Sequence, residues 1–600
     1  MIKERLRALR GAMREMGNDC YIIPTSDFHN SEYVSEYFMV RKYFSGFTGS
    51  AGTLVVHQDK AALFTDGRYF IQAAKELSGS DITLMKIGEP NVPTLTAYVE
   101  QELEEGDTIG FDGRVMTAGD GTVFEDIASR KGGSVIWNTD LADLIWNDRP
   151  ALPATPTFIL KTEYCGESIA DKMTRLRRAM KDNGADTHVL TTLDDIAWLF
   201  NLRANDVESC PVFLAYAIIT QTEAILFARQ SAFDEAVREY LNENAVVLRE
   251  YEDFYDYVGK LVREGFLQKV LLCENRISYR LKKELEEIPT IQKQNPTSVM
   301  KAIKNKTEQE NIRKAHLMDG IAVTKFMYWL KNNVGKIPMD ELNAAAYLEK
   351  LRAENTSFIE PSFSTICAYG ANGAIIHYSA TKEQFAEIMP EGMLMVDSGG
   401  HYLEGSTDIT RTFVLGEITA EMKKHFTLVV KAMLRLRNAK FLYGAKGINL
   451  DILAREVLWE HGLDYKHGTG HGVGYLLSVH EGPNSFRFKQ LPGNDDDWCF
   501  EEGMVTSDEP GIYIEGSHGI RIENELLCMK GGQNEYGQFM YFENLTYVPI
   551  DLDGIDISLM EDRDVAMLNE YHREVYEKLS PHFENELLDW LKQATREMGK

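Results

Sequence analysis

The chain has 600 residues, of which 44% are hydrophobic and 26% charged, so we expect a soluble globular protein that is too long for a single core. Its 64 basic and 92 acidic side chains give a net charge of −28, which argues against binding to nucleic acids or to anionic membrane surfaces, because both require basic patches. The seven cysteines are scattered without a CxxC pair, a usage that favours a reducing cytoplasm and excludes a zinc site built on thiolates.

The N-terminal sequence, MIKERLRALRGAMREMG, has the pattern of a charged amphipathic helix and lacks the apolar core of a signal peptide. No stretch of the chain approaches the roughly 18 apolar residues that a membrane-spanning helix needs. We therefore expect a cytoplasmic protein whose partners are neither membranes nor nucleic acids.

An internal repeat begins within this helix. Residues 9–27 (LRGAMREMGNDCYIIPTSD) align without gaps on residues 176–194 (LRRAMKDNGADTHVLTTLD), and Leu, Arg, Ala, Met, Gly, Asp and Thr recur in register. Each copy has the pattern of an amphipathic helix that ends at a glycine, Gly17 or Gly184, before a short strand. A second helical pattern follows in both copies, in DGRYFIQAAKELSG and in SAFDEAVREYLNEN. The repeat predicts two similar α/β domains in tandem.

Changes in composition indicate the domain boundaries. The proline-rich segment NDRPALPATPTF marks the first boundary, and NPTSVMKAIKNKTEQE lies at the second. Thr307 and Glu310 have the spacing of a capping box, which predicts the start of a long helix. The C-terminal residues predict two helices broken at Pro581, which we interpret as a packing or interface appendage. The predicted domains are 1–155, 156–305, 306–550 and 551–600.

The chemistry is expected in the third domain, because 8 of the 14 histidines lie between His377 and His518. There, GMLMVDSGGHYLEGSTDITRTFVLG has the pattern of two strands joined through glycines. If these strands pair antiparallel, Asp397 and Asp408 lie near one another on one face of the sheet. An unpaired carboxylate beside an apolar strand is costly, so both are candidate ligands, although glycine neighbours are also typical of turn aspartates.

Two further motifs contribute carboxylates, and one contributes imidazoles. GMVTSDEPGIYI places Glu509 before a Pro-Gly turn, and GIRIENELLC predicts a strand with Arg521, Glu523 and Glu525 on one face. We expect Glu525 to lie on a solvated face. HGTGHGVGYLLSVHE contains three histidines and four glycines, which predicts imidazoles held close to a tightly turned backbone.

These motifs together offer two aspartates, two glutamates and a histidine, without any thiolate. A mostly carboxylate set completed by one imidazole suits hard divalent cations such as Mn²⁺ or Mg²⁺, with Co²⁺ or Zn²⁺ as competitors. Because carboxylates can bridge ions, five such ligands suffice for two metals roughly 3.5–4 Å apart.

The motifs VDSGG, GTGHGVG, SDEPGIY and RIENEL, with the second aspartate in STDIT, together resemble those of the pita-bread metallopeptidases, which include methionine aminopeptidase, prolidase and aminopeptidase P. GFTGSAGTLVV and FTDGRYF resemble the creatinase-like N-terminal domain, and LDDIAWLFNLR resembles the repeated second domain of three-domain aminopeptidase P. The final helices resemble the C-terminal extension of its long cytosolic form. The resemblance covers nearly the whole chain. It implies a mixed α/β fold with two tandem creatinase-like N-terminal α/β domains followed by a C-terminal pita-bread catalytic domain.

The resemblance also implies an activity. Members of the aminopeptidase P group hydrolyse the bond before a penultimate proline with two divalent ions, most often Mn²⁺, that activate water. The implied partners are peptides with proline in second position and a second copy of the chain, in a homodimer. The five implied metal ligands are Asp397, Asp408, His471, Glu509 and Glu523.

Further roles follow from the same resemblance. Glu509 is expected to move the proton of the attacking water as well as to bind metal. His480 is expected to contact the substrate near the scissile bond, His377 to donate to its carbonyl, and His467 to line the proline pocket. Arg521 is expected to orient the carboxylates through charge-assisted hydrogen bonds. Histidines that match no motif are expected to be structural: His401, His461 and His518.

Two alternatives remain open at this point. A prolidase, which cleaves only dipeptides, shares the ligand set but normally lacks the repeated second domain and the C-terminal helices. A non-catalytic binding protein of the same fold is expected to lack several ligands. Creatinase is not a third alternative, because it has the fold without a metal site and the intact ligand set argues against it.

Overall fold

The computed structural model describes residues 1–489 and 498–599, and its internal contacts group the chain into two units. The first unit is Met1–Leu160 with Glu167–Thr297, and the second is Lys161–Gly166 with Ser298–Lys600. The predicted division into four domains stays a prediction. Among the described residues, none of the helices has both the length and the apolar character needed to cross a bilayer.

The N-terminal half of the first unit is a six-stranded sheet with helices. The strands are ordered β4-β3-β2-β1-β5-β6, with β1, β2 and β3 antiparallel and the remaining neighbours parallel. Its strands are β1 (Cys20–Pro24), β2 (Thr53–His57), β3 (Ala61–Thr65), β4 (Thr83–Lys86), β5 (Thr108–Gly110) and β6 (Ser134–Ile136). Its helices are α1 (Ile2–Met16), α2 (Val40–Ser45), α3 (Phe70–Glu76), α4 (Leu95–Glu102) and α5 (Ala118–Arg130).

The second half of this unit repeats that topology. Its sheet is ordered β12-β11-β10-β8-β13-β14, and each neighbouring pair has the same parallel or antiparallel sense as its counterpart in the first sheet. The strands are β7 (Phe158–Ile159), β8 (Thr187–Leu190), β9 (Leu202–Arg203), β10 (Ala215–Thr220), β11 (Ala224–Ala228), β12 (Val246–Arg249), β13 (Val270–Leu272) and β14 (Thr290–Gln292), of which β7 and β9 form a separate pair. The helices are α6 (Thr162–Cys165, in the second unit), α7 (Ile169–Asp182), α8 (Leu193–Leu199), α9 (Glu235–Glu243), α10 (Phe254–Arg263) and α11 (Tyr279–Glu284).

The first helix shows why the sequence repeat predicts this architecture. Leu6, Leu9 and Met13 recur every three or four residues and are buried, whereas the intervening residues include several charged side chains. The helix ends at Gly17, whose φ of 73° places it in the left-handed region that favours glycine. Gly184 has a φ of 70° after α7, so the two predicted helix ends are confirmed.

The second unit combines a six-stranded sheet, two three-stranded sheets and a two-stranded sheet with helices. Its strands are β15 (Phe358–Pro361), β16 (Ile366–Tyr369), β17 (Met393–Ser398), β18 (Gly400–Tyr402), β19 (Gly405–Ser406), β20 (Ile409–Val414), β21 (Lys440–Leu442), β22 (Gly470–Gly472), β23 (Glu481–Phe486), β24 (Val505–Asp508), β25 (Gly511–Ile514), β26 (His518–Arg521), β27 (Asn524–Asn534) and β28 (Gly537–Asn544). Its helices are α12 (Pro296–Ala302, which begins in the first unit), α13 (Lys306–Asn333), α14 (Glu341–Arg352), α15 (Ala420–Arg437), α16 (Gly447–Leu450), α17 (Ile452–Trp459), α18 (Asp562–Leu579) and α19 (Asn585–Ala594).

The start of the long helix α13 corrects one prediction. The capping box is formed by Asn305 and Glu308, not by Thr307 and Glu310: the Glu308 N–H donates to Asn305 Oδ1 at 3.0 Å, and the Asn305 N–H donates to Glu308 Oε2 at 2.8 Å. Asparagine caps helices as well as threonine does. Its Nδ2 also donates to the carbonyl of Cys165, a tertiary contact that favours Asn305 as the cap.

The core of the second unit is centred on α15, which is buried along most of its length. The helices α18 and α19 contribute Leu568, Val575 and Leu591 to the same core. A short 3-10 segment, Ser580–His582, separates these two helices at Pro581, so the predicted break is confirmed.

Candidate metal centre

Four local structures bring the predicted ligands to one place. The strands β17 and β20 pair antiparallel, with Asp397 opposite Thr410, so that Asp408, just before β20, lies at the same end of the pair. This confirms the predicted strand pair. The intervening residues form β18 and β19, which belong to another sheet, where β18 pairs with both β15 and β19. Of the other three ligands, His471 lies in β22, Glu509 directly follows β24, and Glu523 lies between β26 and β27.

These side chains converge. Asp408, His471 and Glu523 present ligand atoms that all lie within 4.8 Å of one another. His471 Nε2 lies 3.6 Å from Asp408 Oδ2 and 3.4 Å from Glu509 Oε1. Asp397 is close enough for its charge to affect Asp408, Glu509 and Glu523.

Burial and repulsion make three of the carboxylates, those of Asp408, Glu509 and Glu523, hard to ionise without a compensating cation. Burial, with the charges of Asp397 and Glu509, holds the pKa of Asp408 well above its usual range. Burial and the charge of Asp408 act in the same direction on the pKa of Glu523. Burial raises the pKa of Glu509 to about 7, where Arg521 and His480 oppose the shift and Asp397 adds to it.

The donor set fits divalent metal ions. Asp397 Oδ1 is buried and, within the described part of the chain, has no hydrogen-bond partner. A buried carboxylate oxygen is rarely left without a partner, and here it lies beside three further carboxylates and one imidazole. Four carboxylates and one histidine are oxygen and nitrogen donors of the kind that hard divalent cations bind. The residues that would hold such ions are Asp397, Asp408, His471, Glu509 and Glu523.

Arg521 joins the carboxylates to a second set of side chains. Its Nη2 donates to Asp397 Oδ2 at 2.5 Å, and its Nε donates to Thr410 Oγ1 at 3.2 Å. The Thr410 hydroxyl in turn donates to Glu523 Oε2 at 2.7 Å. The Nη1 of Arg521 donates to the Tyr513 hydroxyl at 2.8 Å. Arg521 therefore contacts Asp397 directly and Glu523 through one hydroxyl, as expected for a residue that orients the ligands.

His467 is connected to this network rather than to the carboxylates themselves. Its Nε2 lies 2.9 Å from the Tyr513 hydroxyl, and its Nδ1 lies 2.7 Å from the carbonyl of Gly468. The chain of contacts thus runs from His467 through Tyr513 and Arg521 to Asp397.

His480 lies beside His471, with ring centroids 4.3 Å apart in an edge-to-face arrangement. The glycine before His471 allows a close approach of strands: a Cβ on Gly470 would lie 1.8 Å from the carbonyl oxygen of Ser507. The Ser507 hydroxyl accepts from the His471 N–H at 3.0 Å and lies 3.4 Å from Glu509 Oε1. The glycine-rich turn therefore places the two imidazoles against the strand that precedes Glu509.

His377 lies in a segment that one buried glutamate holds in place. Glu341, at the start of α14, accepts four hydrogen bonds from the segment 369–386. Its Oε1 accepts from the Tyr369 N–H at 2.7 Å and from Asn372, and its Oε2 accepts from the Tyr378 hydroxyl at 2.7 Å and from the Ala386 N–H. Directly before His377, the carbonyl of Ile376 lies 3.4 Å from Arg521 Nη2. This contact joins the segment to the predicted metal site.

The prediction that Glu525 is solvated is wrong. Its side chain is fully buried, its Oε1 accepts from the Asp408 N–H at 2.5 Å, and the same oxygen lies 3.1 Å from His316 Nε2. The predicted single strand is also two strands, because the chain leaves β26 at Arg521 and joins β24 and β28 only from Asn524. Glu525 thus lies in a strand with a neighbour on each side.

Several supporting residues of the site are not predicted by the sequence motifs. Tyr513 and Ser507 lie within the motif GMVTSDEPGIYI and could have been found there, because the strand alternation places polar side chains next to Glu509. Glu341 and His316 give no comparable local signal, because their partners are distant in sequence. Of the histidines expected to be structural, His401 Nδ1 lies 2.8 Å from Ser406 Oγ and His518 Nε2 lies 2.9 Å from His425 Nδ1, while His461 is exposed.

Comparisons with known proteins agree with this arrangement. Residues 5–133 and 148–308 each match a creatinase/prolidase N-terminal domain. Residues 310–530 match metallopeptidase family M24, and residues 538–598 match the C-terminal region of peptidase M24. A protein of Sordaria macrospora named probable Xaa-Pro aminopeptidase P is 39% identical, over 99% of this chain and 98% of its own length. The chain belongs to metallopeptidase family M24.

Two further comparisons place this M24 metallopeptidase more closely. A probable Xaa-Pro aminopeptidase P of Coprinopsis cinerea is 38% identical over 99% of this chain and 98% of its own length. The crystal structure of an X-prolyl aminopeptidase of Caenorhabditis elegans, described as a cytosolic enzyme with a di-nuclear active site, superposes with a TM-score of 0.95. That structure is 31% identical and covers 100% of both chains. The predicted fold, two creatinase-like domains followed by a pita-bread domain, is therefore confirmed.

Proposed function

We propose that this M24 metallopeptidase is an Xaa-Pro aminopeptidase, which hydrolyses the bond between an N-terminal residue and a penultimate proline. The observation that carries the proposal is the convergence of four carboxylates and one imidazole in a chain whose full-length relatives bear that name. The test is incubation of the metal-loaded protein with a proline-second tripeptide. Release of the first residue, blocked by a chelator, is expected, and no release from any such peptide would overturn the proposal.

The residues proposed to bind two divalent ions are the five of the cluster. The chemistry that such ions supply when bound is a hydroxide at near-neutral pH and positive charge beside the scissile carbonyl. Mn²⁺ is the proposed metal, because the donor set is rich in carboxylate and lacks thiolate, and Co²⁺ and Zn²⁺ are its competitors.

Glu509 is proposed to take the proton of the attacking water and to pass it to the leaving nitrogen. Its Oε1 lies 3.4 Å from His471 Nε2, so the carboxylate borders the place where the metal ions and the attacking water would lie. The Ser507 hydroxyl, 3.4 Å from the same oxygen, restricts the orientation of the carboxylate.

His480 and His377 are proposed to act on the substrate, and His467 to line the pocket for the proline ring. The ring of His480 packs against His471, so it faces the cluster and can donate a hydrogen bond to charge that develops on the carbonyl oxygen. Arg521 is proposed to hold Asp397 and, through Tyr513, the imidazole of His467.

Replacing His480 by alanine is expected to reduce turnover by roughly 10²–10³-fold, the scale for the loss of one donor to the transition state. The metal content should stay unchanged, because His480 is not one of the proposed ligands. Steady-state kinetics on a proline-second tripeptide and elemental analysis of the same sample measure both quantities. The matched control is His461→Ala, an exposed histidine of the same unit, which should behave as the parent protein. A His480→Ala protein that lost its metal together with its activity would show that His480 is a ligand.

The protein is further proposed to be a cytoplasmic homodimer. The cysteine usage supports the compartment: in the described part of the chain none of the seven cysteines forms a disulfide, and six of them are buried. Two copies of a 68.1 kDa chain are expected to elute together, and light scattering during size-exclusion chromatography measures their mass. A mass near that of one chain across a wide concentration range would refute the dimer.

A further inference from the structure

A buried guanidinium lies between the metal centre and the C-terminal helices. Arg411, in β20, is 2% exposed, and no described carboxylate lies within ion-pairing distance of it. A charged side chain is rarely buried without an ionic partner, so its position must be fixed by hydrogen bonds. Its two terminal nitrogens have different acceptors: Nη1 contacts main-chain carbonyls at the metal centre, and the acceptors of Nη2 include a side chain of the C-terminal helices.

On one side, Arg411 holds the backbone around a proposed ligand. Its Nη1 donates to the carbonyl of Glu523 at 2.6 Å and to that of Thr410 at 2.9 Å. Glu523 lies between β26 and β27, where its own N–H donates to the Thr410 carbonyl at 3.0 Å. The Thr410 hydroxyl also contacts Glu523 Oε2. The guanidinium therefore fixes both residues that set the position of the Glu523 carboxylate.

On the other side, Arg411 contacts the C-terminal extension. Its Nη2 donates to the Tyr571 hydroxyl at 2.6 Å, and also to Asn524 Oδ1 at 2.8 Å and the Val548 carbonyl at 3.1 Å. Tyr571 lies in the middle of α18 and is fully buried. Its hydroxyl lies 2.7 Å from the Val548 carbonyl, so it can donate there while it accepts from Arg411. The phenol is thus one of three acceptors that hold Nη2 of the guanidinium, and at 2.6 Å its contact is the shortest of the three.

We propose that Tyr571 is a positioning residue for the metal centre, so that α18 takes part in metal binding through Arg411 and the backbone of Glu523. The inference rests on the proposed role of Glu523 as a ligand. It assigns a function to a segment that the sequence predicts only as a packing or interface appendage. A charge-assisted hydrogen bond of this kind is short and directional, and a planar guanidinium transmits a change at one nitrogen to the other.

The test is a titration of metal-free, full-length protein with Mn²⁺ alone, in which calorimetry measures the affinity. Tyr571→Phe removes the hydroxyl and keeps the ring in the core. Its affinity for Mn²⁺ is expected to fall about tenfold, the lower end of the range for loss of residues that support metal ligands. The matched control is Tyr21→Phe in the first unit. Tyr21 is buried and its hydroxyl lies 3.2 Å from the Thr139 carbonyl, so this substitution also removes a buried tyrosine hydroxyl. This control is expected to leave the affinity unchanged.

A double-mutant cycle separates positioning from general destabilisation. Arg411→Lys keeps the charge but loses the fork, and it should also weaken Mn²⁺ binding. If Tyr571 acts through Arg411, adding Tyr571→Phe to Arg411→Lys should weaken the affinity no further. Additive losses, or a Tyr571→Phe affinity equal to that of the parent protein, would overturn the inference. Should Arg411→Lys fail to fold, the comparison of Tyr571→Phe with Tyr21→Phe still decides the question.

A Glu523→Gln variant distinguishes an error in the role proposed for Tyr571 from an error in the proposed ligand set. Weakened Mn²⁺ binding in Glu523→Gln with unchanged binding in Tyr571→Phe would contradict only the role of Tyr571. Unchanged binding in Glu523→Gln would contradict the proposed ligand set, and the inference with it.

Discussion

Replacing Asp408 by alanine is expected to abolish peptide hydrolysis and to remove at least one equivalent of bound metal. Its carboxylate lies at the centre of the cluster, with ligand atoms of His471 and Glu523 within 4.8 Å, and its main-chain N–H donates to Glu525. Loss of a residue that only supports a ligand typically costs 10- to 100-fold in metal affinity or activity, so loss of a ligand itself should cost more than about 100-fold. Elemental analysis and steady-state kinetics on one preparation measure both effects.

Two controls accompany this prediction. Asp589→Ala removes an exposed aspartate from α19 of the same unit and should leave both quantities unchanged. Treatment of the parent protein with a chelator should remove activity, and added Mn²⁺ should restore it better than Co²⁺ or Zn²⁺. Full activity in protein shown to be free of metal would contradict the proposed mechanism.

The protein is expected to release the first residue from Xaa-Pro-Xaa tripeptides and from longer peptides that have a free N-terminus. Proline has no amide N–H and its φ is fixed, so a pocket shaped for its ring rejects most other residues in second position. Xaa-Ala-Xaa peptides should therefore be cleaved far more slowly, by a factor of about 100 or more, which corresponds to about 3 kcal/mol of transition-state binding. An acetylated N-terminus should block hydrolysis, because the proposed site must hold the free amine. Chromatographic analysis of the products from a peptide panel measures these rates.

The same panel distinguishes the proposal from its nearest alternative. A prolidase must recognise both ends of a dipeptide, so its site closes around the carboxylate of the substrate, whereas an aminopeptidase must leave that end open. Efficient cleavage of Xaa-Pro dipeptides with no cleavage of Xaa-Pro-Xaa peptides would identify a prolidase. Binding of these peptides without cleavage by metal-loaded protein would instead indicate a non-catalytic member of the fold.

The parts of the structure that follow from local patterns could be predicted from the sequence. The paired sheets follow from a repeat whose helix and strand patterns recur in register, and the strand pair β17 and β20 follows from the alternation of apolar residues around Asp397 and Asp408. The five proposed ligands were named through motif resemblance, and the structure brings them together.

The supporting side chains could not be predicted in this way, because tertiary contacts decide their roles. Nothing near Glu525 in the sequence indicates that β28 and β24 flank its strand. The alternation of charged and apolar residues alone therefore predicts a solvated side chain. Asn305 and Thr307 both have a glutamate three residues on, and a contact with the distant Cys165 favours Asn305 as the cap. The role of Arg411 could not be predicted for the same reason, because its partner Tyr571 lies 160 residues away in the sequence.

The four hydrogen bonds to Glu341 also determine what an incoming peptide meets. The segment 369–386 is irregular for much of its length, and ordering such a segment on binding would cost roughly 1–2 kcal/mol of backbone entropy per residue. With Tyr369, Tyr378 and Ala386 all bonded to one buried carboxylate, that entropy is lost when the protein folds. The wall that carries His377 is therefore preorganised. We therefore expect association of a peptide with this side of the site to be limited by encounter rather than by loop closure, and its apparent affinity not to be lowered by a small population of competent conformers.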